Sequence, residues 1–161
     1  LCRHCSTERT MERTWVLEDE AAQLDLGARL ARALPGSLYV YLRGPLGAGK
    51  TTLVRGVLRA LGHTGPVRSP TYTILETYTV ARGEVCHLDL YRLGSAEELE
   101  DIGARELFDG RHVCFVEWPE RGAGWLPQAD LELDIDMAGS GRRVQARAHS
   151  PAGESLLESM A

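Results

Sequence analysis

Asparagine is missing from this chain, and lysine occurs once, at position 50, against 17 arginines. No apolar run approaches the length of a membrane span, and no segment has the layout of a signal peptide, so a membrane protein is not expected and the cytoplasm is. Positive charge is in deficit. The formal net charge of -5 argues against a protein that grips nucleic acid alone, because such proteins neutralise phosphates with excess cations. Cysteine is sparse and reads as cytosolic thiol. Cys86 and Cys114 lie inside apolar runs, where cysteine behaves as a small hydrophobe. Cys2 and Cys5 flank His4 in a lone C-x-x-C, but no second pair follows at zinc-ligand spacing, which disfavours a metal site. Internal repeats, low-complexity tracts and linkers are also wanting. The expectation is one domain over residues 11–161, with residues 1–10 a disordered or non-native extension ahead of Met11.

What is present alternates between two periods. Trp15 to Leu17 is a short strand candidate, and Asp19 caps a helix over residues 20–34, with Leu24, Ala28, Ala31 and Leu34 at helical spacing. Leu38 to Leu42, bounded by Gly36 and Gly44, reads as a strand buried on both faces. A helix carrying Leu53, Val54, Val57, Leu58 and Leu61 ends at Gly62. Residues 73–78 and 84–89 form a strand pair joined across Ala81 to Gly83. Ser95 and Glu98 have the spacing of a capping box, and a second helical stretch is expected over residues 104–108. His112 to Glu117 is another apolar strand. Leu131, Leu133, Ile135 and Met137 alternate with acids in a half-exposed strand that turns back into Val144, Ala146 and Ala148. Ser150 and Pro151 open a terminal helix. The predicted fold is α/β, with a central mixed, mainly parallel sheet flanked by helices and a C-terminal β-hairpin; the strand order stays open.

Between the buried strand and its helix, Gly44-Pro45-Leu46-Gly47-Ala48-Gly49-Lys50-Thr51 satisfies G-x-x-x-x-G-K-[ST], and Thr52 follows. Glycines let successive backbone N–H groups point inward at an anion, and the helix start adds its unpaired N–H groups and dipole. The lone lysine sits where a compact point charge must reach the β- and γ-phosphates, a position arginine fills poorly. Thr51 is placed to put its hydroxyl on Mg²⁺. Strand, glycine loop and helix together define a P-loop. Two apolar strands end in acids, at Asp89 and Glu117, and in a parallel sheet both emerge at the carboxyl edge beside that loop. Such a site needs acids to hold the metal through water and to position the attacking water. Asp89 is favoured for the metal or its water, and Glu117 for the γ-phosphate. Trp118, at the end of its strand, can stack on a base, and Ser69 to Thr73, including Thr71, is a hydroxyl-rich loop suited to sense the γ-phosphate.

A small GTPase is excluded, because its guanine-reading Asn/Thr-Lys-x-Asp segment needs a lysine that is already committed to phosphate. A small-molecule kinase remains an alternative, but residues 119–129 hold one arginine and leave little room for a lid or an acceptor pocket. A non-catalytic nucleotide-dependent scaffold is the other alternative.

The chain resembles the bacterial TsaE family, the ATPase component of tRNA threonylcarbamoyladenosine synthesis. The likeness runs from about Trp15 to the C-terminus. It rests on the glycine loop through Thr52, on Ser69-Pro70-Thr71-Tyr72-Thr73, and on His87-Leu88-Asp89-Leu90-Tyr91-Arg92-Leu93. Glu97 to Gly103 and Val116-Glu117-Trp118-Pro119-Glu120-Arg121 complete it. The resemblance implies binding and slow hydrolysis of ATP to ADP with Mg²⁺, and action with TsaD and TsaB, TsaC-type enzymes supplying threonylcarbamoyl-adenylate. It implies that tRNA is met through that complex, at the adenosine next to the anticodon. It further implies phosphate contact at Lys50, metal at Thr51, catalysis or metal at Asp89 and Glu117, adenine against Trp118, and a switch at Ser69 to Thr73. Pro45 departs from the acid usual after the first glycine, which stiffens the loop edge and removes one N–H.

Overall fold

The computed structural model describes residues 10–160. Cys2, Cys5 and His4 therefore lie outside the described residues. In chain order the strands are β1 (Glu12–Leu17), β2 (Leu38–Arg43), β3 (Leu75–Val80), β4 (Gly83–Asp89), β5 (Val113–Glu117), β6 (Leu131–Ala138) and β7 (Gly141–Ala148). The helices are α1 (Glu20–Ala33), α2 (Lys50–Ala60), α3 (Glu98–Asp101) and α4 (Pro151–Ser159). Ala104–Phe108 and Pro119–Gly122 are 3₁₀ turns.

All seven strands form one sheet in the order β1-β7-β6-β2-β5-β4-β3. The pairs β2–β6, β2–β5 and β4–β5 are parallel, whereas β1–β7, β6–β7 and β3–β4 are antiparallel. The sheet is mixed as expected but evenly so, not mainly parallel. The reason is the two hairpins, β3–β4 and β6–β7, whose tight turns only antiparallel neighbours allow, together with β1, which joins the edge beside β7 antiparallel to it.

The parallel centre is the best-covered part. Every residue of β5 is buried, as the unbroken apolar run Val113 to Val116 requires of a strand packed on both faces. On one face α1, α2 and α4 cover Val40, Leu42, Phe115 and Ile135. On the other, α3, the 3₁₀ turns and the loop carrying Trp125 cover Tyr41, Leu88 and Val116. Toward β7 the second cover stops, and β6 and β7 alternate buried with exposed positions. That is the pattern of a strand with one wet face.

Local signals act where expected, with instructive exceptions. The Asp19 side chain accepts from the Ala22 N–H at 2.9 Å and opens α1. Of the expected face, Ala31 and Leu34 are buried while Leu24 and Ala28 are only half-buried, and toward the start of α1 the buried stripe shifts one position to Gln23, Leu26, Gly27 and Leu30. Gly27 and Gly56 explain the rotation. A Cβ at Gly27 would strike the backbone of Leu53 and Val57, and one at Gly56 would strike the backbone of Leu24, so α1 and α2 touch backbone to backbone. The capping box at Ser95 does not form. Glu98 instead accepts from the Gly94 N–H at 3.1 Å, and α3 is a single turn. Ser150 does cap α4, its hydroxyl accepting from Gly153 N–H at 3.1 Å while donating to Asp130 at 2.7 Å.

Candidate functional site

Three neighbouring parallel strands, β2, β5 and β4, finish at the same edge of the sheet. Leu42 is in register with Glu117, and Glu117 with Asp89. The two acids thus stand side by side at the carboxyl edge, where the chain leaves β2 for the glycine loop.

That loop relies on conformations a side chain resists. Gly44, Gly47 and Gly49 have φ of 150°, 79° and 96°, in the left-handed half of backbone space. Gly49 is the N-cap of α2 and has no side chain to bond the first-turn amides. A helix start without a cap offers its N–H groups and dipole to an anion. From behind, two remote side chains hold the loop carbonyls. Gln23 on α1 donates to the Ala48 carbonyl at 3.1 Å, and Arg142 on β7 donates to Ala48 at 3.0 Å and to Gly47 at 3.1 Å.

Lys50 is almost wholly buried, and its ammonium donates to the carbonyls of Gly44 at 2.5 Å and Pro45 at 3.1 Å. It also lies 4.3 Å from the centre of the Trp118 ring, a cation–π contact. Burial pulls the Lys50 amine below its ordinary value, and the carboxylates of Glu117, Asp89 and Glu120 oppose that shift. Thr51 Oγ donates to Glu117 Oε2 at 2.9 Å, and His87 Nε2 stands 2.6 Å from the same oxygen.

Asp89 is engaged differently. Its Oδ1 accepts from the Tyr91 N–H at 3.0 Å, and its Oδ2 accepts from the Ser69 hydroxyl. The loop that brings Ser69 and Thr71 to the site is anchored by Ile74, whose carbonyl accepts from Asp89 N–H at 2.9 Å. Ile74 has φ of 67°, and Trp118, directly after Glu117, has φ of 57°. Left-handed backbone at residues other than glycine costs about 1–3 kcal/mol, and the cost is greatest for a β-branched side chain like that of Ile74. Both strained positions adjoin the acids.

A cavity of about 380 Å³ gathers these groups. Its wall contains Leu46, Gly47, Ala48, Gly49, Lys50, Thr51, Thr52, Thr71, Asp89, Glu117 and Trp118, eleven of the residues singled out from sequence. Ser69 and Tyr91 complete it. Gly44 is not on the wall; its carbonyl anchors Lys50 instead. Sequence reasoning gave no role to Tyr91, Gln23, Arg142 or His87. Tyr91 and His87 sit two residues from Asp89 and were visible in that motif, whereas Gln23 and Arg142 carry no local signal at all.

Trp118 lies against Lys50 and lines the same cavity.

The donors fit a hard cation. No group of three His, Cys, Asp or Glu stands ready as a metal cage among the described residues. The cavity instead offers the Thr51 and Ser69 hydroxyls and the carboxylates of Asp89 and Glu117. Magnesium characteristically takes one or two carboxylates together with phosphate oxygens and water, so an incomplete oxygen set suits it.

Fold and site together describe a single-domain α/β protein with a glycine loop between its central strand and helix, and paired acids on adjacent strand ends. The profile of the family described as "Threonylcarbamoyl adenosine biosynthesis protein TsaE" matches residues 17–145, and the chain belongs to that family. A curated relative from Haemophilus influenzae, named tRNA threonylcarbamoyladenosine biosynthesis protein TsaE, is 42% identical over 149 residues, 89% of this chain and 94% of that protein. One of the same name from Bacillus subtilis is 42% identical over 113 residues, 70% of each chain. The crystal structure of Bacillus subtilis YdiB superimposes with a TM-score of 0.78 at 29% identity, covering 96% of this chain and 97% of that one. No helix among the described residues is long and apolar enough to cross a membrane.

Proposed function

We propose that this chain binds ATP with Mg²⁺, hydrolyses it slowly to ADP, and uses that cycle as a switch on the TsaD–TsaB complex that installs threonylcarbamoyl on tRNA in the cytoplasm. Membership of the TsaE family supports the pathway. The observation that carries the chemistry is the convergence of the uncapped start of α2, Lys50, Thr51, Asp89 and Glu117 on one cavity.

The present contacts support a part for each residue. Lys50 exchanges two neutral carbonyl partners for anionic β- and γ-phosphate oxygens, a gain because hydrogen bonds between ions are the stronger kind. Thr51 donates its only hydrogen to Glu117, which leaves its oxygen lone pairs for the metal. Mg²⁺, when bound, neutralises charge on the β- and γ-oxygens. Glu117 and Asp89 hold its water shell, and Glu117 positions the attacking water. Trp118, on the cavity wall beside Lys50, offers the face on which the adenine stacks. Ser69, bonded to Asp89, links the state of the nucleotide to the 69–73 loop, which gives the switch its moving part. With a net charge of -5, tRNA is reached through the partners.

The test is threonylcarbamoyl incorporation into tRNA by TsaD, TsaB and TsaC, with and without this chain and ATP. Many turnovers only in its presence, lost with Lys50→Ala, is the expected result. Equal turnover without it overturns the reading. Following the γ-phosphate in the same mixture separates a hydrolase, which gives it to water, from a kinase, which gives it to an acceptor.

A further inference from the structure

His87 is fully buried at the sheet centre, where a strand otherwise takes apolar residues. It lies on β4 two residues before Asp89, opposite Phe115 of β5 and Glu76 of β3, with no exposed surface. Its Nε2 is 2.6 Å from Glu117 Oε2, and its Nδ1 is buried with no hydrogen-bond partner among the described residues. A ring held only for packing is replaced more cheaply by leucine, because an unpaired buried polar atom is a cost.

The contact decides where the ring hydrogen sits. A hydrogen on Nδ1 alone would leave a buried donor unpaired and turn the Nε2 lone pair toward a carboxylate oxygen at 2.6 Å. The tautomer with hydrogen on Nε2 removes both penalties and leaves only a bare lone pair at Nδ1. Glu117 Oε2 then accepts two hydrogen bonds, from His87 Nε2 and from Thr51 Oγ. Its Oε1 has no protein partner among the described residues, while Glu117 lines the cavity. One oxygen is tethered and the other is kept for the site.

From this we infer that His87 is a positioning residue for Glu117: its Nε2–H fixes the carboxylate by Oε2 so that Oε1 faces the γ-phosphate side of the cavity. The inference rests on the reading that Glu117 acts in hydrolysis. A glutamate carries three rotatable side-chain bonds, and a single hydroxyl bond from Thr51 leaves the carboxylate free to swing about it. The imidazole, rigid and locked between strands, supplies the second point that stops the swing. Removing such an outer partner characteristically costs about 10–100-fold in activity while the ligand's own binding groups stay in place.

The experiment compares wild type with His87→Leu and His87→Gln, measuring single-turnover ATP hydrolysis and, separately, the affinity for a non-hydrolysable ATP analogue. His87→Leu is expected to slow hydrolysis at saturating ATP by about 10-fold or more with analogue affinity nearly unchanged. His87→Gln, whose amide N–H reaches the place of Nε2–H, is expected to recover most of the rate. A leucine variant that hydrolyses at the wild-type rate, or a glutamine variant no better than leucine, overturns the assignment. A second readout needs no activity: nitrogen NMR of the imidazole in the nucleotide-free protein is expected to place the hydrogen on Nε2 and to shift on Glu117→Gln. Hydrogen on Nδ1, or no response to Glu117→Gln, overturns it equally. Should wild type hydrolyse no ATP at all, the functional reading falls by itself, and the imidazole spectrum still decides whether His87 holds Glu117.

Discussion

Replacing Arg142 by alanine will weaken ATP binding although Arg142 lies behind the glycine loop, on the side away from the cavity. A trans peptide sets its N–H opposite its C=O, so the Ala48 carbonyl, held from behind by Arg142 and Gln23, orients the Gly49 N–H the other way. Arg142 makes two hydrogen bonds with a charged donor, to Ala48 at 3.0 Å and Gly47 at 3.1 Å. Bonds of that kind are worth about 1.5–3 kcal/mol each when buried. The bond to Gly47 is exposed and Gln23 still holds Ala48, so about 1–2 kcal/mol of loop order is at stake. Carried fully into binding, this is about 5–30-fold in Kd. The assay is calorimetric titration with a non-hydrolysable ATP analogue, with thermal unfolding of the nucleotide-free variants to register any general loss of stability. Because Gln23 and Arg142 share one acceptor, Gln23→Leu combined with Arg142→Ala will cost more than the two single changes added. Affinity unchanged within about twofold in the double variant would refute the idea that these side chains order the loop.

Lys50→Ala will abolish measurable nucleotide binding, since no other lysine exists to take its place and the nearest arginine would have to enter a loop shaped for an ammonium; ordinary affinity in a filter-binding assay would refute its phosphate role. Glu117→Ala will keep nucleotide but slow single-turnover hydrolysis, and an unchanged rate would reassign the residue to structure. Ser69→Ala will free one oxygen of Asp89 and loosen the 69–73 loop, which proteolysis with and without ATP will register as lost nucleotide protection. Gly27→Ala will destabilise the fold by about 1–3 kcal/mol through collision with the backbone of α2, despite a helix propensity about 1 kcal/mol in favour of alanine; denaturant midpoints check the sign, and a more stable variant would contradict the backbone contact.

Much of this molecule was written in local chemistry. The glycine loop announces itself because positive φ at Gly44, Gly47 and Gly49 leaves few residue choices, and because a lone lysine in an arginine-rich chain marks its position. The apolar runs of β2, β4 and β5, each buried, could only be central strands, and the acids ending two of them had to reach one edge once those strands paired in parallel. The terminal cap at Ser150 and the hairpin at Ala81 to Gly83 are equally local. Ser95 was misleading for a physical reason: Glu98 found a nearer donor at Gly94, and a helix of one turn gains little from a cap.

The rest depended on distance in sequence. The rotation of the α1 face follows from Gly56 on another helix, which no periodicity within residues 20–34 can reveal. The even split between parallel and antiparallel pairs required the strand order, since β7 pairs with β1 across more than a hundred residues. Gln23 and Arg142 look like surface residues until α1 and β7 bring them to the carbonyls of the loop. The partners of the two acids were set in the same way. Glu117 meets Thr51 and His87, while Asp89 meets Ser69, because neighbouring strands present their last side chains to different loops. Residue type and spacing determine which polar groups the chain can bring to a site; which of them touch is set by strand order and register, and those are properties of the folded sheet.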